Sequence, residues 1–179
     1  MMRAAALATV ALLAGCASPV VTRIDSAAPA PLPAAASFTL VEAPGDLAPA
    51  HRQASQLVST ALSQRGWRVA ETGDYLLWVS LADRPATAAL QAGDDTGKPV
   101  AVIGPAHDRK TERGCARRDY RLGVRLTHRV TGEDAYSGSG AEFHCKALLD
   151  ESLPHLVTAA LGGLDGAPGP QMVERKGVR

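Results

Sequence analysis

Tyr120-Arg121-Leu122-Gly123-Val124-Arg125-Leu126-Thr127-His128-Arg129-Val130 is the stretch that decides the fold. Its even positions, Tyr120, Leu122, Val124, Leu126, His128 and Val130, are mainly apolar. Its odd positions, Arg121, Gly123, Arg125, Thr127 and Arg129, are small or polar. A period of two puts the sets on opposite faces of a strand, one toward a core and one toward water. Thr131-Gly132-Glu133 supplies a tight turn, and Asp134 to Cys145 returns as a second strand. With residues 131 and 132 as the loop, Tyr120 faces Phe143 and Leu122 faces Ala141, both pairs on the core side.

Upstream of this hairpin, Asp74 to Ala82 carries Tyr75, Leu77, Val79 and Leu81 on one face and Leu76, Trp78 and Ala82 on the other. A strand apolar on both faces belongs inside a sheet. Ser37 to Glu42 alternates as an earlier strand. Between the two, Leu47, Ala50, Ala54, Leu57, Val58, Ala61 and Leu62 recur at helical spacing. Asp46 is the expected N-cap of that helix, Pro49 fits its first turn, and Gly66 ends it. Downstream, Leu149, Leu153, Leu156, Val157, Ala160 and Leu161 stripe a second helix over about 147–161, with Asp150 and Glu151 near its start and Gly162-Gly163 as its stop. Pro154 is either inside it or its N1 residue, with Leu148 to Leu153 as a preceding turn. Residues 84–114, punctuated by Pro and Gly, read as a long loop with one short strand at Val100 to Ile103. The expected fold is α+β: a single domain, with a mainly antiparallel sheet of about four to five strands and two amphipathic helices packed on one face.

The chain opens with Arg3, an apolar run over Ala4 to Leu12, and Leu13-Ala14-Gly15-Cys16. A cationic start, a short apolar core and small residues make a secretory signal. It is too short to cross a bilayer, which takes about 20 apolar residues. The cysteine at its end resembles the lipobox of bacterial lipoproteins. That resemblance implies a signal peptide over 1–15, lipidation of Cys16, and a chain attached to a membrane rather than spanning it. Ala17 follows Cys16 where an Asp commonly marks inner-membrane retention, so the resemblance implies the outer membrane, facing the periplasm. Residues 16–36, with Pro19, Pro29, Pro31 and Pro33 among Ala and Ser, read as a flexible tether. The folded domain then spans 37–163, and 164–179 reads as a disordered tail.

Two other cysteines, Cys115 and Cys145, form an expected disulfide in an oxidising compartment, since lipidation of Cys16 resolves the odd count. It would clasp the open end of the hairpin, and a ring of about 30 residues contributes about 3–4 kcal/mol.

Removal of residues 1–15 takes away Arg3 and no acid, leaving 18 Lys and Arg against 18 Asp and Glu. Nothing in that balance suggests nucleic acid or an acidic polymer as partner, since either needs a strong basic excess. His51, His107, His128, His144 and His155 lack metal-ligand spacing, and His144-Cys145 alternate across strand faces. Asp94, Asp95 and Asp108 lack the alternation of a calcium loop. Gly138-Ser139-Gly140 is not a nucleophile elbow; its small residues suit a helix packed closely on the strand. No metal, cofactor or catalytic set is expected. The stripe Arg121, Arg125, Arg129 reads either as a solvated face or as a binding face for anionic head groups or an acidic partner.

Several segments together carry a wider resemblance: Leu57 to Trp67 ending in Gln64-Arg65-Gly66-Trp67, the strand Asp74-Tyr75-Leu76-Leu77-Trp78-Val79, the hairpin Leu122 to Tyr136, and Leu153-Pro154-His155-Leu156-Val157. With the lipobox, this order resembles bacterial lipoproteins carrying the domain of unknown function 4136 (DUF4136) over about Phe38 to Leu161. Gly162-Gly163 departs from the aromatic-Pro step of that family. The resemblance implies a non-enzymatic binding or interaction module of the cell envelope, and it brings no catalytic residues. In outline the chain is also similar to auxiliary lipoproteins of ABC-type lipid transporters, which implies an apolar groove between helices and sheet; their Tyr-Leu-Asp-type segment is missing. A hydrolase would need clustered titratable groups, for which the sequence offers no constellation.

Overall fold

In chain order the elements are β1 (Val20–Ala27), β2 (Ser37–Val41), α1 (Pro49–Gln64), β3 (Arg68–Val69), β4 (Tyr75–Pro85), β5 (Leu90–Gly93), β6 (Pro99–Gly104), β7 (Arg118–His128), β8 (Asp134–His144), α2 (Leu149–Asp165) and β9 (Gln171–Arg175). They come from a computed structural model that describes residues 19–42, 48–86, 88, 90–93, 99–104, 118–144, 147–166 and 168–176. β7 and β8 form the middle of a seven-stranded sheet of order β3-β2-β4-β7-β8-β1-β9, and β5-β6 is a separate hairpin between β4 and β7.

The fold remains α+β with both helices against one sheet face, but the expected four to five mainly antiparallel strands are corrected to seven in a mixed sheet. Two of the extra strands come from segments whose composition reads as tether and tail. Val20, Thr22, Ile24 and Ser26 alternate with Val21, Arg23, Asp25 and Ala27 in β1, which pairs antiparallel with β8 from Thr22 opposite Glu142 to Ala27 opposite Ser137. β9 then pairs antiparallel with the far edge of β1. Proline among alanines suppresses strand propensity locally, and pairing with a distant, already ordered edge overrides it. The sheet is mixed because α1 carries the chain back across its face, so that β2 runs parallel to both β3 and β4.

The register of β7 on β8 is also corrected, by one residue: Tyr120 faces Glu142 and Leu122 faces Gly140. The turn is longer than two residues. The His128 N–H donates to the Glu133 carbonyl and the Gly132 N–H to the His128 carbonyl, each at 2.8 Å. A bulge between Leu126 and Thr127 then leaves Ala135 as the extra residue of β8. A one-residue slip exchanges the faces of a strand. Tyr136, Gly138, Gly140 and Glu142 therefore point to the core, and Ala141 and Phe143 lie on the other face.

The core lies between the sheet and the helices. Phe38, Leu77, Leu122 and Leu126 of the sheet and Val58, Leu62, Leu153, Leu156 and Leu161 of the helices are buried within it. α1 begins at Pro49 with Ala48 as its cap residue, while Asp46 lies outside the described residues. Gly66 takes φ +89°, and the Trp67 N–H returns to the Leu62 carbonyl, ending the helix as expected. α2 starts before Pro154 rather than at it: the Glu151 carboxylate, in the first turn, accepts the Leu148 N–H at 2.9 Å. It also runs past Gly162-Gly163, because Gly163 is where the helix meets β1; a Cβ there would lie 2.4 Å from the Ser26 hydroxyl.

Gly138 and Gly140 let α2 approach β8 closely, and Tyr136 beside them donates its hydroxyl to the Ala160 carbonyl at 2.6 Å. Burial pushes the Tyr136 phenol up to about 12. Unfolded tyrosine ionises near pH 10, so between about pH 10 and 12 the unfolded chain gives up a proton that the folded chain keeps. Stability is expected to fall as pH rises through that window, by about 2–3 kcal/mol from this group. Urea titrations in steps from pH 9 to 12 measure the slope. Tyr136→Phe is expected to remove most of it, with Tyr120, also raised by burial, supplying the remainder.

Candidate binding face

The helices cover one face of the sheet, and the other is built in rows by the strand register. One row across β4, β7, β8 and β1 reads Trp78, Arg125, Ser137, Ala27. The next reads Ser80, Gly123, Ser139, Asp25. A third reads Ala82, Arg121, Ala141, Arg23 and continues to Met172 on β9. The middle row holds nothing larger than aspartate. The face is therefore a shallow trough of about 520 Å³ with Ser80, Gly123 and Ser139 on its floor and Trp78 and Arg125 along one side.

Gly123 is needed for that floor, because a Cβ at this position would lie 2.6 Å from the Ser80 hydroxyl. Trp78 is 41% exposed, a large aromatic surface left in water beside hydroxyl groups. Arg125 has Asp134 as a neighbour at 3.8 Å, both well exposed, a pairing worth little in water. A second depression of about 360 Å³ follows on the same face, between Arg121, Arg23, Ala141 and Met172. Ala141 is only 3% exposed there, although it sits on the face without helices. At the β5-β6 end, Arg84 holds the buried Asp119 at 2.7 Å, so these two charges are committed to each other.

Of the arginine stripe, the structure keeps Arg121 and Arg125 together and separates Arg129. β7 ends at His128. Arg129 follows it, and its guanidinium donates to the Gly73 carbonyl and the Thr39 hydroxyl, tying the turn to β2 and β4. Cys16, Cys115 and Cys145 lie outside the described residues, as do His107, Asp94, Asp95 and Asp108. His128 packs edge-on to Tyr75, with ring centroids 5.5 Å apart. Among the described residues no three His, Cys, Asp or Glu side chains gather as a metal site, and no helix is long and apolar enough to cross a membrane.

Sequence reasoning missed Arg23, Asp25 and Met172, because it assigned their segments to tether and tail. The available signal was the alternation Val20, Thr22, Ile24, Ser26, three of the four β-branched. Trp78 was legible only as part of a strand apolar on both faces; that its face is the open one became known with the structure.

No protein-family model matches the chain, and no curated protein matches it. Solved structures do. The chain is similar to a PelC point variant from Paraburkholderia phytofirmans described as a dodecamer, with 12% identity, a TM-score of 0.50, and coverage of 82% of this chain and 98% of that one. It is also similar to a PDZ domain protein from Parabacteroides distasonis ATCC 8503, with 9% identity and a TM-score of 0.56. That match covers 88% of this chain and 38% of the other, so this chain spans well under half of that protein. The likeness is one of fold alone.

Proposed function

We propose that this chain is a lipid-anchored module of the cell envelope, held to the membrane at Cys16, that works by binding rather than by catalysis. The observation that carries the binding reading is the sidedness of the sheet. Its helical face is filled by leucines that are fully buried, whereas the opposite face presents a trough with an exposed tryptophan and arginine at its side. A shaped, half-apolar face with polar groups is what a partner surface needs. Among the described residues that line the trough, the hydroxyls of Ser80, Ser137 and Ser139 stand beside Trp78 and Arg125, a mix of polar and aromatic groups suited to recognising a partner. The Leu13-Ala14-Gly15-Cys16 segment and the resemblance to DUF4136 lipoproteins support the envelope setting.

The test is photo-crosslinking in cells of the lipidated protein, with a photoreactive residue at Trp78, at Arg125 or at the helix-side position Gln64. Capture of the same envelope protein from Trp78 and Arg125, and not from Gln64, is the expected result. Ser139→Trp fills the trough and is expected to reduce that capture at least tenfold while leaving the thermal midpoint within about 2 °C. Equal capture from both faces, or none, overturns the reading. Phospholipid retained by the purified protein would move it to the lipid-transport class.

A further inference from the structure

β9 closes one edge of the sheet, and its outer side has no strand beside it among the described residues. An open edge offers a row of backbone donors and acceptors, which natural proteins blunt with charge, proline or a covering segment. β9 has Pro170 before it, Lys176 after it, and the charged residues Glu174 and Arg175 in its second half. Its middle is apolar. Met172 is 75% exposed, Val173 47%, and Val21 on the adjoining strand 41%. These are three of the seven exposed large hydrophobic residues among those described, and all three sit at this edge, Met172 and Val21 on the trough face and Val173 on the helical face.

The sequence of this edge indicates what fits it. In antiparallel pairing with itself about Val173, Val173 meets Val173 of the other copy, Met172 meets Glu174, and Gln171 meets Arg175. No like charges face each other. Centring on Glu174 instead sets two carboxylates directly opposite, which disfavours that register, and centring on Arg175 pairs no other residue of β9 with β9 of the second copy. Centring on Met172 draws Pro170 into the ladder, where it has no N–H to give. One symmetric register is therefore self-complementary over the full five residues, as a two-fold contact requires. The near-zero net charge of the chain, +1 in all, opposes no approach of a second copy.

We propose that β9 is the docking edge for a second copy of this chain, joined antiparallel about Val173 into one continuous sheet. The contact is independent of the trough at Trp78, so either can fail without the other. In-cell photo-crosslinking of the lipidated chain from position 172 tests it. The expected product is a species of twice the chain mass, with the attachment site mapping to β9 of the second copy around Glu174. Val173→Lys sets two ammonium groups against each other, and Val173→Glu sets two carboxylates against each other. Each is expected to lower the crosslinked yield at least tenfold with protease resistance of the monomer unchanged. Attachment to another surface of the second copy, attachment to a different protein, or no intermolecular product each overturns the proposal. So does a yield indifferent to both Val173 variants.

Discussion

Replacing Arg175 with alanine is expected to cost about 3–5 kcal/mol of folding stability. Glu142 is fully buried under the sheet edge, and Arg175 reaches across β1 to meet it with both arms of its guanidinium, Nε to Oε1 at 3.0 Å and Nη2 to Oε2 at 2.7 Å. The Thr22 hydroxyl donates to Oε1 as well, at 2.5 Å. Removing the cation leaves a carboxylate with much of its charge uncompensated in a place water does not reach. The loss is bounded by the free energy that holds β9, since releasing that strand lets water in. Amides of β9 are accordingly expected to exchange with solvent first, and hydrogen exchange locates the effect while urea unfolding measures its size. The double variant Glu142→Leu with Arg175→Met removes both charges and is expected to recover most of the loss, because a well-packed apolar pair often matches a buried ion pair. A single Arg175→Ala cost below about 1 kcal/mol would show that the pair does not hold β9.

Gly138→Ala is the second large effect, and it adds only one methyl. A Cβ at Gly138 would lie 2.0 Å from the Ala160 carbonyl oxygen and 2.5 Å from the Tyr136 hydroxyl, the two atoms that hydrogen-bond each other. Neither belongs to a freely swinging side chain, so α2 must lift from β8 and the bond must break. The expected cost is about 3 kcal/mol, the upper part of the range for overpacking. Gly140→Ala meets the Ala159 methyl at 2.8 Å and the Leu156 carbonyl at 2.9 Å and is expected to cost less. Gly162→Ala, with nothing within 4 Å of the new methyl, is expected to stabilise by about 0.5–1 kcal/mol through helix propensity. Thermal or urea midpoints of the three variants test the order. A Gly138 variant as stable as the Gly140 one would contradict the contact between α2 and β8.

These effects show where sequence reasoning reached and where it stopped. The small residues of Gly138-Ser139-Gly140 were legible as a site of close helix packing, and the structure places α2 there. That Gly138 and Gly140 rather than Ser139 face the helix followed from the register, which the longer turn at His128 to Glu133 and the bulge before Thr127 shift by one. The same shift carries Glu142 into the core, where it needs Arg175. No local pattern announces that need, because a lone Glu in an alternating strand reads as outward-facing. In the candidate face, Arg121 and Arg125 were available from strand alternation, whereas Trp78 read only as part of a strand apolar on both faces. Arg23, Asp25 and Met172 were hidden in segments whose prolines and alanines argued against strands.

The sequence by itself determined the local elements: the outward arginines of β7, the two apolar helix stripes, the strand through Trp78, and the Gly66 stop. Each depends on neighbours a few residues away, where a period of 2 or 3.6 and a glycine conformation suffice. Only the tertiary structure decided that β1 and β9 are strands, that α2 continues beyond its glycines, and that serine, glycine and aspartate from four strands line one trough. Those outcomes depend on pairings such as Thr22 with Glu142, 120 residues apart. The energy of such a pairing exists only once both strands are in place.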